Sequence, residues 1–336
     1  MIKNMILSNL RKKKLEQIYS IISEINKLSH LSDVELMMTA LDYKPAMADA
    51  IFFDSELQQN IEKIRNYGQQ IDLYLATSKY KYIVNSPRGI FEEIPLDDPQ
   101  LGKIILAFSK SRDKARKGAD YYHKKMLDSK YGYKFGKLMG YPECCLKFGD
   151  YLQNLEGDPT NFGFKNPAVE SLKRSKHFAW QLNVFTISLL PHYPCSLTCK
   201  KSIAYVDKLL AYLDYINKER SLYFRNCLIE PTSLYWTCAD KILLYGDFKR
   251  YTLSTGEIKY NKIESMITSD TYYQQVDKNN ITQWRNIEKV LRQGNKLIIT
   301  DDLCSIYSNK DKIFEAKKEN KYIPVLVKPD ILPKYE

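Results

Sequence analysis

Two proline-led cysteine elements constrain this chain more than any other feature. The first runs Gly140-Tyr141-Pro142-Glu143-Cys144-Cys145, and the second His192-Tyr193-Pro194-Cys195-Ser196-Leu197-Thr198-Cys199. Proline is at ease in the first turn of a helix, where its missing N–H has no partner to lose. Each element therefore reads as a chain entering a helix with its thiols near the start. In the second, Cys195 and Cys199 at i,i+4 would share one helix face, with His192 folding back from the preceding loop. In the first, Cys144 and Cys145 would point about 100° apart, so one ion does not take both with equal ease. Three arrangements stay open: one of the pair ligates while the other packs or reacts, both belong to a cluster, or both serve thiol exchange.

Thiolates and imidazole suit a soft or borderline metal. A single Zn²⁺ or Fe²⁺ would most naturally use His192, Cys195, Cys199 and either Cys144 or Cys145. That is expected ahead of an iron–sulfur cluster, which asks for four cysteinates. Without metal, Cys145 or Cys195 could act as a nucleophile with His192 as base and Asp150 or Asn183 as orienting group. Glu143, beside the pair, is a candidate proton carrier, although a first-turn glutamate also simply suits the helix dipole. Arg88, between Pro87 and Gly89, is a candidate to hold the carboxylate or phosphate of a bound cofactor; an unliganded surface turn is the alternative. Packing of small thiols in a core is the bland reading of the cysteines. It suits Cys227, Cys238 and Cys304 better than the two clusters.

Compartment bears on the same question. No segment reads as a secretory signal, since Arg11–Lys14 follow rather than precede the weakly apolar Met1–Leu10. The longest apolar stretch, Val184–Leu190, is too short to span a bilayer. A cytoplasmic protein without a membrane partner is expected. There, seven cysteines should stay reduced and serve metal or thiol chemistry rather than disulfides.

The formal charge of +11 is unevenly spread. From Lys103 to Lys137 eleven Lys/Arg face only Asp113, Asp120 and Asp128. Such a field can attract an anionic small molecule, a peptide or a nucleic acid, or it can be a solvated helix face. The 26 tyrosines, against 13 phenylalanines and 3 tryptophans, offer rings that can stack on bases. Neither a Gly-x-Gly-x-x-Gly fingerprint nor a Walker A sequence occurs, which disfavours the usual dinucleotide and P-loop sites. Composition sets no oligomeric state.

Periodicity indicates an α+β fold: a helical N-terminal and central region carrying the Cys/His elements, and a smaller sheet-rich C-terminal region. Texture divides it into an α/β region over 1–110, a helical Cys/His core over 111–225 and a sheet-rich region over 226–336. Helices are expected at Ser55–Tyr67, Arg112–Leu127, about Pro167–Leu189, Ser196–Lys218 and Ile281–Gln293. Ser32 and Glu35 can form a capping box. Ile71–Ala76 and Tyr80–Val84 read as strands, whereas Ile104–Phe108 could instead open a helix. After Arg225, short strands are expected at Lys241–Tyr245, Arg250–Thr252, Glu257–Tyr260, Lys296–Ile299, Cys304–Tyr307, Ile313–Phe314 and Tyr322–Val327.

Gly-Tyr-Pro-x-Cys-Cys, then Trp180 and Asn183, then His-x-Pro-Cys-x-x-x-Cys, resembles an uncharacterised prokaryotic protein family marked by this double-cysteine signature. The likeness covers residues 110–215, about a third of the chain. It implies a shared centre at the two elements and supplies no reaction. Three functions follow as expectations: a metal- or thiol-dependent enzyme centred on the Cys/His site, a nucleic-acid-binding or regulatory protein with a structural metal, and a scaffold with buried cysteines.

Overall fold

Ile18, Ile21, Ile22 and Ile25 recur at helical spacing and are all buried in the opening helix, α1 (Ile2–Ser29). The computed structural model of the protein describes residues 2–84, 91–128, 130–156, 167–235, 240–267, 286–317 and 325–330. Arg88 and Cys238 lie outside them. The fold is α+β, with two antiparallel sheets and a sheet-rich C-terminal region. Two compact units emerge: Met1–Thr160 with Lys208–Lys218, and Asn161–Asp207 with Glu219–Glu336. This division differs from the three regions drawn from texture. Local periodicity does not register the long-range packing that gathers residues 112–127 with the N-terminal strands.

In the first unit, α2 (Asp33–Ala40) starts under Ser32, whose hydroxyl accepts the Glu35 N–H at 3.3 Å. The Glu35 carboxylate pairs with Lys44. There follow β1 (Met47–Phe52), α3 (Ser55–Gln70), β2 (Tyr74–Thr77), β3 (Lys81–Val84), β4 (Phe91–Ile94) and β5 (Lys103–Ser109). The sheet runs β1-β5-β3-β4, with β2 also paired to β5. β5 is its centre, and Ile104 to Ser109 are at most 1% exposed. A strand covered on both faces loses its alternation and reads as an unbroken apolar run. Ile104–Phe108 is accordingly a strand and opens no helix. α4 (Arg112–Leu127), capped by Ser111, packs on β5, β2 and β1, and α5 (Tyr131–Leu138) and α6 (Glu143–Glu156) follow.

This core admits charge. The Lys44 side chain is fully covered and ion-paired with Glu35, and its amine is pushed down in pKa by burial, with the Glu35 charge opposing. Burial also raises the Asp49 carboxyl. Lys125 lies 3.9 Å from the Tyr122 ring centroid and 4.2 Å from that of Phe135. Burial brings its pKa down to about 8 against the pull of Asp49 and Glu35.

The second unit contains α7 (Pro167–Lys173), a single 3₁₀ turn over Trp180–Leu182, the opening of α8 (Lys200–Ile216) and α9 (Lys218–Ile229). Its strands are β6 (Thr232–Tyr235), β7 (Asp240–Arg250), β8 (Gly256–Ile267), β9 (Lys296–Ile299), β10 (Leu303–Ser308), β11 (Asp311–Lys317) and β12 (Val325–Val327). They form an antiparallel sheet in the order β11-β10-β9-β8-β7-β6-β12. A helix over 286–291 lays Ile287 and Leu291 on a core with Ile242, Leu244, Ile258 and Leu297. Gly246 marks the β7 bulge, where a Cβ would stand 1.9 Å from the Lys259 carbonyl oxygen. Arg250–Thr252 is not a strand of its own. Arg250 ends β7, and Tyr251 and Thr252 donate to the Thr255 carbonyl in the turn.

The helix expected over Pro167–Leu189 stops at Lys173. Polar side chains here bind backbone and compete with helix formation. Ser175 Oγ receives the Leu197 N–H at 2.6 Å, Asp330 receives the Phe178 N–H at 2.7 Å, and Asn183 Oδ1 receives the Phe185 N–H at 3.3 Å. Arg250 holds Asp330 in turn through an ion pair.

Candidate metal centre

The first cysteine element is written almost residue by residue into backbone geometry. Gly140 follows α5 with φ +78°. Its N–H meets the Lys137 carbonyl at 3.1 Å, and the Tyr141 N–H meets the Gly136 carbonyl at 3.0 Å. This pair of bonds is the Schellman motif, which needs a left-handed residue just past the helix. Tyr141 then packs against Phe135, ring centroids 6.3 Å apart. The Pro142 carbonyl accepts from Cys145 at 2.8 Å and Leu146 at 3.0 Å, opening α6. Both thiols thus occupy a first turn, as the proline indicates. Gly140→Ala is expected to cost about 2 kcal/mol from the left-handed backbone, and more from its Cβ, 2.5 Å from Pro45 Cδ. Chemical denaturation of the variant checks this; an unchanged midpoint would count against the motif.

The second element departs from expectation. α8 begins at Lys200, so Cys195 and Cys199 are not one turn apart on a helix. Residues 195–199 form a tight turn, with the Cys199 N–H on the Ser196 carbonyl at 3.1 Å. The Cys199 carbonyl then accepts from Ile203 at 2.9 Å, which puts Cys199 at the N-cap of α8. The turn is fixed from outside. Ser171 donates to the Pro194 carbonyl, Ala179 donates to the Leu197 carbonyl at 3.0 Å, and the Leu197 side chain is wholly buried.

The sulfurs of Cys144, Cys145, Cys195 and Cys199 all lie within 4.8 Å of one another. Cys144 and Cys145 are 3.9 Å apart at Sγ, so both members of the adjacent pair join the group. Cys145 and Cys199 are buried, and Cys144 and Cys195 are partly exposed. No described cysteine forms a disulfide. Four thiolates around one tetrahedral ion with Zn–S of about 2.3 Å stand about 3.8 Å apart; the Cys144–Cys145 pair is at 3.9 Å, and no pair in the group exceeds 4.8 Å. First-turn and N-cap positions are also where a helix dipole favours negative charge.

The other sequence candidates fall outside this group. His192 Nε2 lies 3.0 Å from Ser202 Oγ, and its ring meets Tyr205 edge-on at 6.3 Å. Asn183 is buried with its amide donating to the Leu228 carbonyl at 2.6 Å, so both ends of its side chain hold backbone. Glu143 accepts from the Tyr133 hydroxyl and lies 3.9 Å from Lys147. Burial and then the Glu143 charge raise the Asp150 carboxyl. Trp180 stacks under the Arg225 guanidinium at 5.6 Å. Arg88 is outside the described residues. His123 meets Glu93 at 2.7 Å beside the Tyr82 ring.

No helix among the described residues is long and apolar enough to cross a membrane. Comparison with protein-family models, curated proteins and solved structures finds no match for this chain.

Proposed function

We propose that Cys144, Cys145, Cys195 and Cys199 bind one metal ion, zinc in preference to iron, and that the ion is structural. The protein is then a nucleic-acid-binding or regulatory protein of the reducing cytoplasm, stabilised by its metal. One observation carries this reading: four thiol sulfurs lie within 4.8 Å of one another. Four protein ligands complete a tetrahedral zinc site and leave no position for water or substrate, whereas catalytic zinc keeps one open. A four-iron cluster spreads its cysteinates over four separate irons, which asks for a wider group than this one. Metal-free thiol catalysis has less support, because His192 is not among the grouped residues and the Asn183 amide is held by backbone at both ends. Membership of the double-cysteine prokaryotic family fits the same centre and rests on its motifs.

The test is elemental analysis with absorption spectroscopy on protein purified without oxygen. About one zinc per chain is expected, replaceable by Co²⁺ with the intense visible bands of tetrahedral thiolate coordination. Folded protein without metal, or protein carrying acid-labile sulfide, would overturn the single-ion site.

A further inference from the structure

A groove of about 890 Å³ lies wholly within residues 65–123, lined by Arg65 and Gln69 of α3, the run from Tyr74 to Tyr80, and one stripe of α4. Its volume falls in the range of small-ligand clefts. On α4 the stripe carries Arg112, Arg116 and His123, with small Ala115 and Ala119 between them. Spacings of three and four residues place these on one helix face, and the alanines keep the floor low.

The charge of this groove is not cancelled from within. Asp120, the acid of the lining, is bound to Lys124 at 2.9 Å. Asp113 on the same helix holds Lys117 at 2.8 Å, and Glu93 meets His123 at 2.7 Å. Arg65 pairs with Glu62. Among the described residues no ion pair engages Arg112, Arg116 or Lys79, so three cations face a ligand-sized space.

Aromatic surface lies beside them. Tyr74 and Tyr80 are 45% and 44% exposed, and the Tyr80 ring is 6.4 Å from that of His123. The wall carrying Lys79 and Tyr80 is built rather than loose: Ser78 Oγ receives the Ile105 N–H at 3.0 Å and donates to the Tyr80 carbonyl at 2.8 Å. Guanidinium groups recognise phosphate through paired N–H donors, and tyrosine faces stack on bases.

We propose that this groove binds a nucleotide, free or as a unit of a single-stranded nucleic acid, with phosphate on Arg112 and Arg116 and the base on Tyr80. This deepens the nucleic-acid reading above by giving it a site and a ligand chemistry. It does not depend on the metal.

The experiment measures binding of a fluorescein-labelled ten-residue oligouridylate and, separately, of ATP to the full protein across a salt series. Arg112→Ala/Arg116→Ala is compared with Lys114→Ala/Lys137→Ala, which removes the same charge away from the groove. The groove pair is expected to weaken binding at least about tenfold and flatten the salt slope by about 1.4, two phosphate contacts at about 0.7 each. Tyr80→Ala should weaken it severalfold, and the control pair should do much less. Tight binding of the oligonucleotide alone identifies a single strand as the source, and comparable binding of ATP identifies a free nucleotide. Equal loss in the two charge pairs overturns the groove while leaving nucleic-acid binding intact. Failure of the native protein to bind either probe overturns both readings.

Discussion

Serine at Cys145 and Cys199 together is expected to abolish stoichiometric metal and lower Tm by about 10 °C or more. These are the two buried members of the four-sulfur group. Serine keeps the shape, but its neutral hydroxyl is a poor ligand for zinc, so half the donor set disappears with little change in volume. A structural metal contributes its binding energy directly to folding. Losing several kcal/mol of it moves Tm by about 2–4 °C per kcal/mol in a chain region of 150–250 residues. Cys227→Ser is the control, because Cys227 lies outside the group. Thermal unfolding with metal analysis on each variant settles the matter. If the double variant melts like the native protein and keeps its metal, the four thiols are not the site.

The second large effect concerns Lys44. Its side chain is fully covered, whereas that of its partner Glu35 is 18% exposed. Lys44→Met retains most of the aliphatic stem but leaves Glu35 without its counter-charge, at an expected loss of about 3 kcal/mol. Converting Glu35 to methionine as well should recover much of that loss, since a buried pair is often replaceable by apolar groups. Glu35→Gln is the sharper probe. Lys44 then keeps the burial that already lowers its pKa and loses the charge that opposed it. At neutral pH the unfolded chain therefore binds the proton more readily than the folded one, and stability should rise with pH toward the usual lysine range. Denaturant titrations between pH 7 and 10 read the slope. A flat difference from the native protein would mean that Lys44 is not held in a low-dielectric site.

Lys44 also ties this pair to the cysteine element, since its amine lies 5.7 Å from the Tyr141 ring centroid while Pro45 packs at Gly140. Sequence alone could place Cys144 and Cys145 in a first helical turn, because glycine, proline and two thiols specify that turn locally. It could not place Cys195 and Cys199. Their turn is set by Ser171, Ser175 and Ala179, and nothing in the local periodicity separates that arrangement from a helix beginning at Ser196. Strand β5 was obscured for a related reason: covered on both faces, it carries no alternation to read. Strand β9 was plain because its burial alternates along a short run between turns. The exclusion of His192 from the sulfur group also had no local signal, since its partner Ser202 lies on the following helix. The groove was half legible. The basic run from Lys103 to Lys137 announced a cationic surface, but only folding brings Tyr80 beside His123.

The order of strands in the C-terminal sheet has a consequence for biosynthesis. β6 has β7 on one side, yet its other neighbour is β12, with Tyr235 opposite Val325 and Ser233 opposite Val327. As the chain leaves the ribosome, β6 and β7 can form a hairpin early. The outer edge of β6 must then wait for residue 327 to be synthesised. Until then it presents unpaired amides and carbonyls to any passing strand, the exposure that leads nascent sheets to aggregate. Closing so long a loop is also a slow, entropically opposed step. Chains cut between β11 and β12 should therefore be more aggregation-prone than full-length ones, and chaperones should matter most during that interval.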